Sequence, residues 1–286
     1  MGESIRALIE LTRPVNCLLA GLAVLIGGFV SGGSSLQAYL LSFIAAFLIT
    51  GGGNAINDFF DRDIDRINKP GRPIPSGRVR LKDALMVSRL LFVAGMVFAA
   101  ALRSLPCLLL AGFNAAVLVA YPARLKRSGL PGNLTIAYLV GSTFLFGGLA
   151  QSASGTWSLA PTFILFLLSF LSTAGREIIK SIQDMVGDRR LGLRTFPIVH
   201  GKRKAAVTAS ALIFSAVCLS PLPSALDIFG PLYAILLVPS LFIFTAAAVE
   251  ILKSQAKISA GRASLYCKIA MFIGLLAFIG GAATAP

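Results

Sequence analysis

The sequence predicts an all-α, polytopic membrane protein, and three observations carry that prediction. Hydrophobic residues make up 56% of the 286 and charged residues only 13%, with a mean hydropathy of +0.82; an ordinary soluble domain is about a quarter charged. Apolar runs recur along the chain, several reaching the roughly 20 residues that cross a bilayer as helix. The connections between those runs alternate between nearly uncharged and strongly basic, the mark of a chain threaded repeatedly through a membrane.

Taken in order, the apolar segments cover residues 15–32, 35–53, 82–103, 105–121, 132–151, 158–180, 204–222, 229–251 and 264–284, a bundle of about nine transmembrane helices. The seventh is shortened by the SPLPS run at 220–224. Residues 1–14 precede them as an amphipathic helix expected to lie on the membrane surface. That stretch lacks the basic start and short apolar core of a cleaved signal peptide. Arg6 stands where a myristoylation signal requires Ser or Thr.

Connections after the first, third, fifth and seventh segments are short and almost free of Lys and Arg, with Arg103 the exception. Those after the second, fourth, sixth and eighth carry DRINKPGRPIPSGRVRLK, PARLKRSG, DRRLGLRTFPIVHGKRK and KSQAKISAGR. The positive-inside rule places these and the N-terminus on the cytoplasmic side of the cell membrane, and an odd span count leaves the C-terminus outside. Acids occur after the second segment and again after the sixth. The architecture therefore reads as two pseudo-repeated four-helix units plus a ninth helix, within a single domain over residues 1–286.

The net charge of +14 fits this topology and suits anionic headgroups or phosphates. No compact basic module interleaved with aromatics is present, so nucleic acid is not an expected partner. Cys17, Cys107, Cys218 and Cys267 are scattered through apolar runs with no CxxC pair, which argues against metal or redox chemistry. The single histidine, His200, stands alone beside Gly201 and a basic cluster, so neither a zinc site nor a His-based triad is expected.

The stretch NAINDFFDRDIDRINKPGRPIPSGR, residues 54–78, concentrates four of the twelve acidic residues, Asp58, Asp61, Asp63 and Asp65, among arginines and lysines. Asn57, Asp61 and Asp65 stand four apart, so a helix continuing from the second segment lines them on one face. Asp58 joins nearly the same face, whereas Asp63 points elsewhere. Carboxylates so placed repel one another, and near a membrane that cost calls for a cation. A second stretch, REIIKSIQDMVGDRR, repeats the spacing with Asp184 and Asp188. Two carboxylate-bearing helices offer the all-oxygen ligands that suit Mg2+, an ion usually shared with substrate phosphates. Lys69 and Arg72 follow the first cluster, Arg176 and Lys180 precede the second, and Lys126 and Arg127 come from the middle loop. Carboxylates alone would fit metal storage or transport; with interleaved bases they fit a metal-bound diphosphate. Arg78, Arg80, Lys202, Arg203 and Lys204 read as topology signals only.

These motifs resemble the UbiA superfamily of intramembrane prenyltransferases. Its NDxxDxxxD motif is matched by NDFFDRDID at Asn57, Asp58, Asp61 and Asp65, and the continuation NKPxRPxxSG by NKPGRPIPSG at 68–77. Its DxxxD motif is matched at Asp184 and Asp188. TRP at 12–14 and the YP…LKR…GN segment at 121–133 also fit. The resemblance implies a nine-helix bundle around a central cavity, in which Asn57, Asp58, Asp61, Asp65, Asp184 and Asp188 hold Mg2+, expected as two ions. It implies an isoprenyl diphosphate bound with help from Arg13, Asn57, Asn68, Lys69, Arg72, Tyr121, Lys126, Arg127, Arg176 and Lys180. Asp61, Asp65, Asp184 and Asp188 would then be catalytic, assisting ionisation of the allylic C–O bond toward a carbocation that a lipophilic acceptor captures.

Within the superfamily, REIIKSIQDMVGDRRLGLRTFPI is most similar to the archaeal branch that adds a second geranylgeranyl chain, as an ether, to geranylgeranylglyceryl phosphate. Ser181 and Gln183 depart from that branch, which commonly carries acids there. The alternative acceptor is an aromatic ring, as in 4-hydroxybenzoate or naphthoate prenylation for quinones. A transporter reading would place its acids near the bilayer centre rather than at helix ends. The DGxxAR pattern of CDP-alcohol phosphotransferases is absent. GGG at 51–53 lacks the GK[ST] of a phosphate loop and is expected to let the second span approach a neighbour or bend.

Overall fold

The structure, a computed structural model, describes residues 2–152, 157–190 and 192–285, with the side chains of residues 2–4 and 68 outside that description. Every regular element among the described residues is helical. In chain order these are α1 (Gly2–Thr12), α2 (Pro14–Val30), α3 (Leu36–Phe60), α4 (Arg62–Asn68), α5 (Leu81–Ala101), α6 (Leu105–Ala123), a 3-10 turn (Leu125–Arg127), α7 (Leu130–Ala150), α8 (Leu159–Arg190), α9 (Phe196–His200), α10 (Lys202–Leu219), α11 (Leu222–Ala225), α12 (Pro231–Lys253) and α13 (Lys257–Ala283).

Eight helices among the described residues are long and apolar enough to cross a membrane. A ninth is completed by residues 5–12 and α2 if that pair, bent by 44°, counts as one span. The protein is a multi-pass membrane protein. Three helices outrun their apolar segments: α3 continues to Phe60, α8 to Arg190, and α13 begins at Lys257. The extensions of α3 and α8 are what carry acids off the ends of membrane helices. Arg189 and Arg190 close α8, where cations complement the helix C-terminus.

The chain divides into two compact units. The first comprises Met1–Gly28, Gly33–Arg124 and Thr143–Trp157. Its core joins Val24, Ala45, Ile49, Ala99, Cys107, Ala111 and Phe146, and a smaller core under α1 joins Ala7, Leu11, Ala55, Val79 and Ala84. Small residues set the spacing. A Cβ on Gly52 would lie 3.1 Å from the carbonyl oxygen of Ser88, and Ser88 Oγ donates to the Gly52 carbonyl at 2.9 Å. A Cβ on Gly147 would run into the Val24 carbonyl. In lipid, with no hydrophobic drive between helices, such close approach supplies the packing. The glycine run in α3 therefore serves contact with α5 and α6, and the helix passes through it unbroken.

The second unit comprises Phe29–Gly32, Leu125–Ser142 and Ser158–Pro286. Its core packs Ile178, Ile179 and Ile182 of α8 against Ala205, Ala209 and Ile213 of α10, Phe244 and Ile251 of α12, and Ala263 and Cys267 of α13. Serines again bridge helices through carbonyls: Ser210 Oγ to Ala248 at 3.1 Å and Ser240 Oγ to Ala270 at 2.8 Å. Each such bond in a membrane is worth roughly 0.6 kcal/mol. Buried Tyr233 donates to the Ser220 carbonyl at 2.6 Å, fixing α12 to the end of α10 where the SPLPS run interrupts the span.

Candidate active site

The first acid cluster forms at a break. Helix α3 ends at Phe60, Asp61 leaves helical geometry (φ −83°, ψ 1°), and α4 resumes at Arg62. The backbone bonds of one helix line survive the break. The Asp61 N–H donates to Asn57 O at 2.9 Å, Asp65 to Asp61 O at 2.8 Å and Lys69 to Asp65 O at 2.8 Å. The stripe Asn57, Asp61, Asp65, Lys69 is thus kept although the helix is not continuous. Asp58, Asp61 and Asp65 are 3%, 5% and 5% exposed, whereas Asp63 is exposed and meets Arg62 and Arg66, each at 3.6 Å.

Arginine offsets part of the charge within the cluster. Arg13 pairs with Asp58, and one nitrogen of Arg72 reaches both Asp58 (3.3 Å) and Asp65 (2.5 Å). The Asn57 amide donates to Asp61 Oδ2 at 2.9 Å. Lys69 joins from the loop after α4. Desolvation of its ammonium, then the Arg72 charge, push its pKa below the usual lysine value, and Asp65 partly offsets them.

Arg13 holds its position at a conformational cost. It lies between α1 and α2 with φ 51°, a left-handed backbone in a non-glycine residue preceding proline. Such a conformation costs on the order of 1–2 kcal/mol. Asn54, four residues before Asp58, donates to the Thr12 carbonyl at 2.8 Å and secures the same corner. The loop bearing Arg72 is anchored by Arg78. That side chain donates to both carboxylate oxygens of Glu10 at 2.6 and 3.1 Å, and to the Gly71 carbonyl at 2.7 Å. Arg78 therefore ties the loop to α1, a role beyond the topology signal expected of it, and Asn54 was not anticipated at all. Arg80 pairs locally with Asp83 at 2.7 Å.

The second cluster is more open. Asp184 is exposed and Asp188 half-buried on the last turns of α8, and Lys126 and Lys180 lie within electrostatic reach of Asp188. The N–H of Leu193 donates to the Asp188 carbonyl at 2.9 Å as the chain leaves the helix. Lys180 and Arg127 are exposed, and Tyr121 is half-buried at the end of α6. The side chain of Asn68 lies outside the described residues. Arg176 is mostly buried and pairs with Glu177 at 2.7 Å, and its Nε is buried without a hydrogen-bond partner. The two positions that depart from the archaeal branch both have packing partners. Asn133 donates to Ser181 Oγ at 3.3 Å, and Gln183 lies against Gly261 of α13, where a Cβ would come within 3.2 Å of its amide nitrogen.

The donors of the first cluster on α3 and α4, like those of the second on α8, are carboxylate and amide oxygens, a type that fits a hard divalent cation such as Mg2+. Among the described residues no three of His, Cys, Asp and Glu stand close enough to hold a metal by themselves.

Comparison with known proteins gives the family and the fold. Residues 17–279 match the UbiA prenyltransferase family. The digeranylgeranylglyceryl phosphate synthase of Natronomonas pharaonis is 44% identical, with 98% of each chain covered. That of Methanopyrus kandleri is 39% identical over 96% of this chain and 98% of its own. A solved structure described as giving insight into digeranylgeranylglyceryl phosphate synthase in membranes superposes with a TM-score of 0.88 at 41% identity, covering 98% of this chain and 99% of that one. A UbiA homolog from Archaeoglobus fulgidus, solved bound to GPP and Mg2+, shares the fold at a TM-score of 0.66 and 18% identity, covering 96% of this chain and 99% of that one. The chain belongs to the UbiA prenyltransferase family.

Proposed function

We propose that the protein transfers a geranylgeranyl group from its diphosphate to geranylgeranylglyceryl phosphate, forming an ether and releasing diphosphate. The reading rests most heavily on one observation: three almost fully buried carboxylates, Asp58, Asp61 and Asp65, share one stripe with arginines placed among them. A buried acid stripe of that kind is costly unless it works on a cation or a cation-bound anion. Near-identity in length and over 40% identity to synthases of digeranylgeranylglyceryl phosphate support the choice of acceptor.

In this reading Asn57, Asp58, Asp61 and Asp65, together with Asp184 and Asp188, hold a pair of Mg2+ ions. Bound Mg2+ supplies Lewis-acid neutralisation of the departing diphosphate. Arg13, Asn68, Lys69, Arg72, Tyr121, Lys126, Arg127, Arg176 and Lys180 bind phosphate oxygens of donor and acceptor. Arginine's planar fork suits it to fix their orientation, while lysine acts as a point charge. As negative charge grows on the leaving group, these preplaced cations stabilise it more than the ground state, which is what lowers the barrier. Apolar helix faces exclude the water that would otherwise capture the carbocation. In this reading the N-terminus and both clusters lie on the cytoplasmic side of the cell membrane, with residues 1–14 along its surface and the C-terminus outside, an orientation that the basic connections support. The whole chain acts as one prenyltransferase domain.

A product assay tests the reading. Purified protein in lipid nanodiscs, Mg2+ and geranylgeranyl diphosphate are offered geranylgeranylglyceryl phosphate or 4-hydroxybenzoate, with products identified by mass. The digeranylgeranyl ether is expected; turnover of the aromatic acceptor alone would overturn the assignment.

A further inference from the structure

Ether formation releases a proton, and the residues described so far neutralise phosphate rather than receive it. Helix α8 contains three acids, Glu177, Asp184 and Asp188. The positions 177, 181, 184 and 188 follow i, i+4, i+7, i+11, so Glu177 shares a helix face with the two aspartates. It sits about 10 Å further along the axis, in the last turn of the apolar segment 158–180. A carboxylate at that depth is expensive to keep and marks a functional position by default. Glu177 and Arg176 form an ion pair at 2.7 Å with side chains 16% and 18% exposed, and the pair leaves Arg176 Nε as an unfilled, buried donor. The neighbouring polar positions are committed elsewhere: Ser181 Oγ donates to the Glu177 carbonyl at 3.0 Å and meets Asn133, and Gln183 packs on Gly261.

We propose that Glu177 is the proton acceptor for the hydroxyl of a lipid alcohol, a role that rests on the prenyl-transfer reading above. The allylic C–O bond of the donor breaks and its electron pair leaves with diphosphate. The acceptor hydroxyl oxygen bonds to the allylic carbon, and its proton passes to a Glu177 carboxylate oxygen, from which water removes it between turnovers. The oxonium formed by that capture is intensely acidic, so a carboxylate already paired with arginine is basic enough. Arg176 balances the carboxylate's charge inside the span and holds it on the helix face. An acid at 181 or 183 is then unnecessary.

The test uses full-length Glu177→Gln and Glu177→Asp proteins in nanodiscs with Mg2+, geranylgeranyl diphosphate and geranylgeranylglyceryl phosphate, after thermal unfolding confirms that each is folded. Diphosphate release and products are followed together. For Glu177→Gln we expect ether formation to fall about 10²–10⁴-fold, while diphosphate release persists with the free prenyl alcohol as product. Glu177→Asp should recover part of the ether. Ether from Glu177→Gln at the wild-type rate overturns the proposal, as does a proportional loss of ether and diphosphate release. Absence of ether from the wild type overturns the acceptor reading and this proposal with it.

Discussion

The two acid clusters differ in how far each is finished before any ligand arrives. The first is buried, spans a helix break, and already has Asp58 and Asp65 in direct ion pairs with Arg13 and Arg72. The second sits on the end of one long helix with Asp184 exposed and Asp188 only half-buried, and Lys126 and Lys180 bear on Asp188 through their charge. Burial without pairing would be costly for the first, whereas exposure leaves Asp184 of the second in water. On the proposed reading, the same residue types at the same spacing would serve stability and chemistry together in one cluster, and chemistry alone in the other.

That contrast can be broken by experiment. The largest effect is expected from metal removal. Chelation should slow diphosphate release by at least about 10³-fold, since a bound divalent ion supplies several kcal/mol of charge stabilisation, and added Mg2+ should restore it. Next, Asp184→Ala should cut the rate about 10²–10³-fold with no change in thermal unfolding. Asp58→Ala should lower both. Its destabilisation should fall toward the lower end of the roughly 3–5 kcal/mol that follows breaking a buried pair, because Arg13 and Arg72 retain some solvent access. Equal stability of the Asp58 and Asp184 variants in a denaturation series would erase the contrast.

Two smaller effects sharpen it. Arg13→Gly and Arg13→Ala both lose the ion pair, but glycine accepts φ 51° freely, so the glycine variant should be about 1–2 kcal/mol the more stable. Identical melting of the two would remove strain from the account of that corner. Arg78→Ala should cost less than about 1 kcal/mol, since its pair with Glu10 is solvent-exposed. Its signature should instead be a raised KM for the diphosphate as the loop bearing Arg72 loosens.

Much of this was legible in the sequence, and the rest was hidden for identifiable reasons. Hydropathy located the spans, and the four-residue spacing placed Asp61 and Asp65 on one stripe and set Asp63 aside. The break at Asp61 was not legible, because FFDRDID contains neither glycine nor proline to mark it. Nor was the left-handed Arg13, since TRP reads as an ordinary helix start with proline at its first position. Long-range pairs such as Arg78 with Glu10, or Gln183 against Gly261, depend on which helices pack together, which periodicity within one segment does not encode. Ser181 and Gln183 looked like missing acids on a linear motif, whereas in three dimensions each has a packing partner and the remaining acid of α8, Glu177, lies two turns earlier.

The central claim is that both clusters act on one diphosphate, and the most direct test is a double-mutant cycle on diphosphate release. Single-turnover rates with geranylgeranyl diphosphate and Mg2+ would be compared for wild type, Asp61→Asn, Asp184→Asn and the double variant. Residues acting as a unit are strongly non-additive, so each single variant should lose most of the rate and the double variant should be within a few-fold of the slower single. Effects that multiply, or a single variant that retains the wild-type rate, would contradict the account.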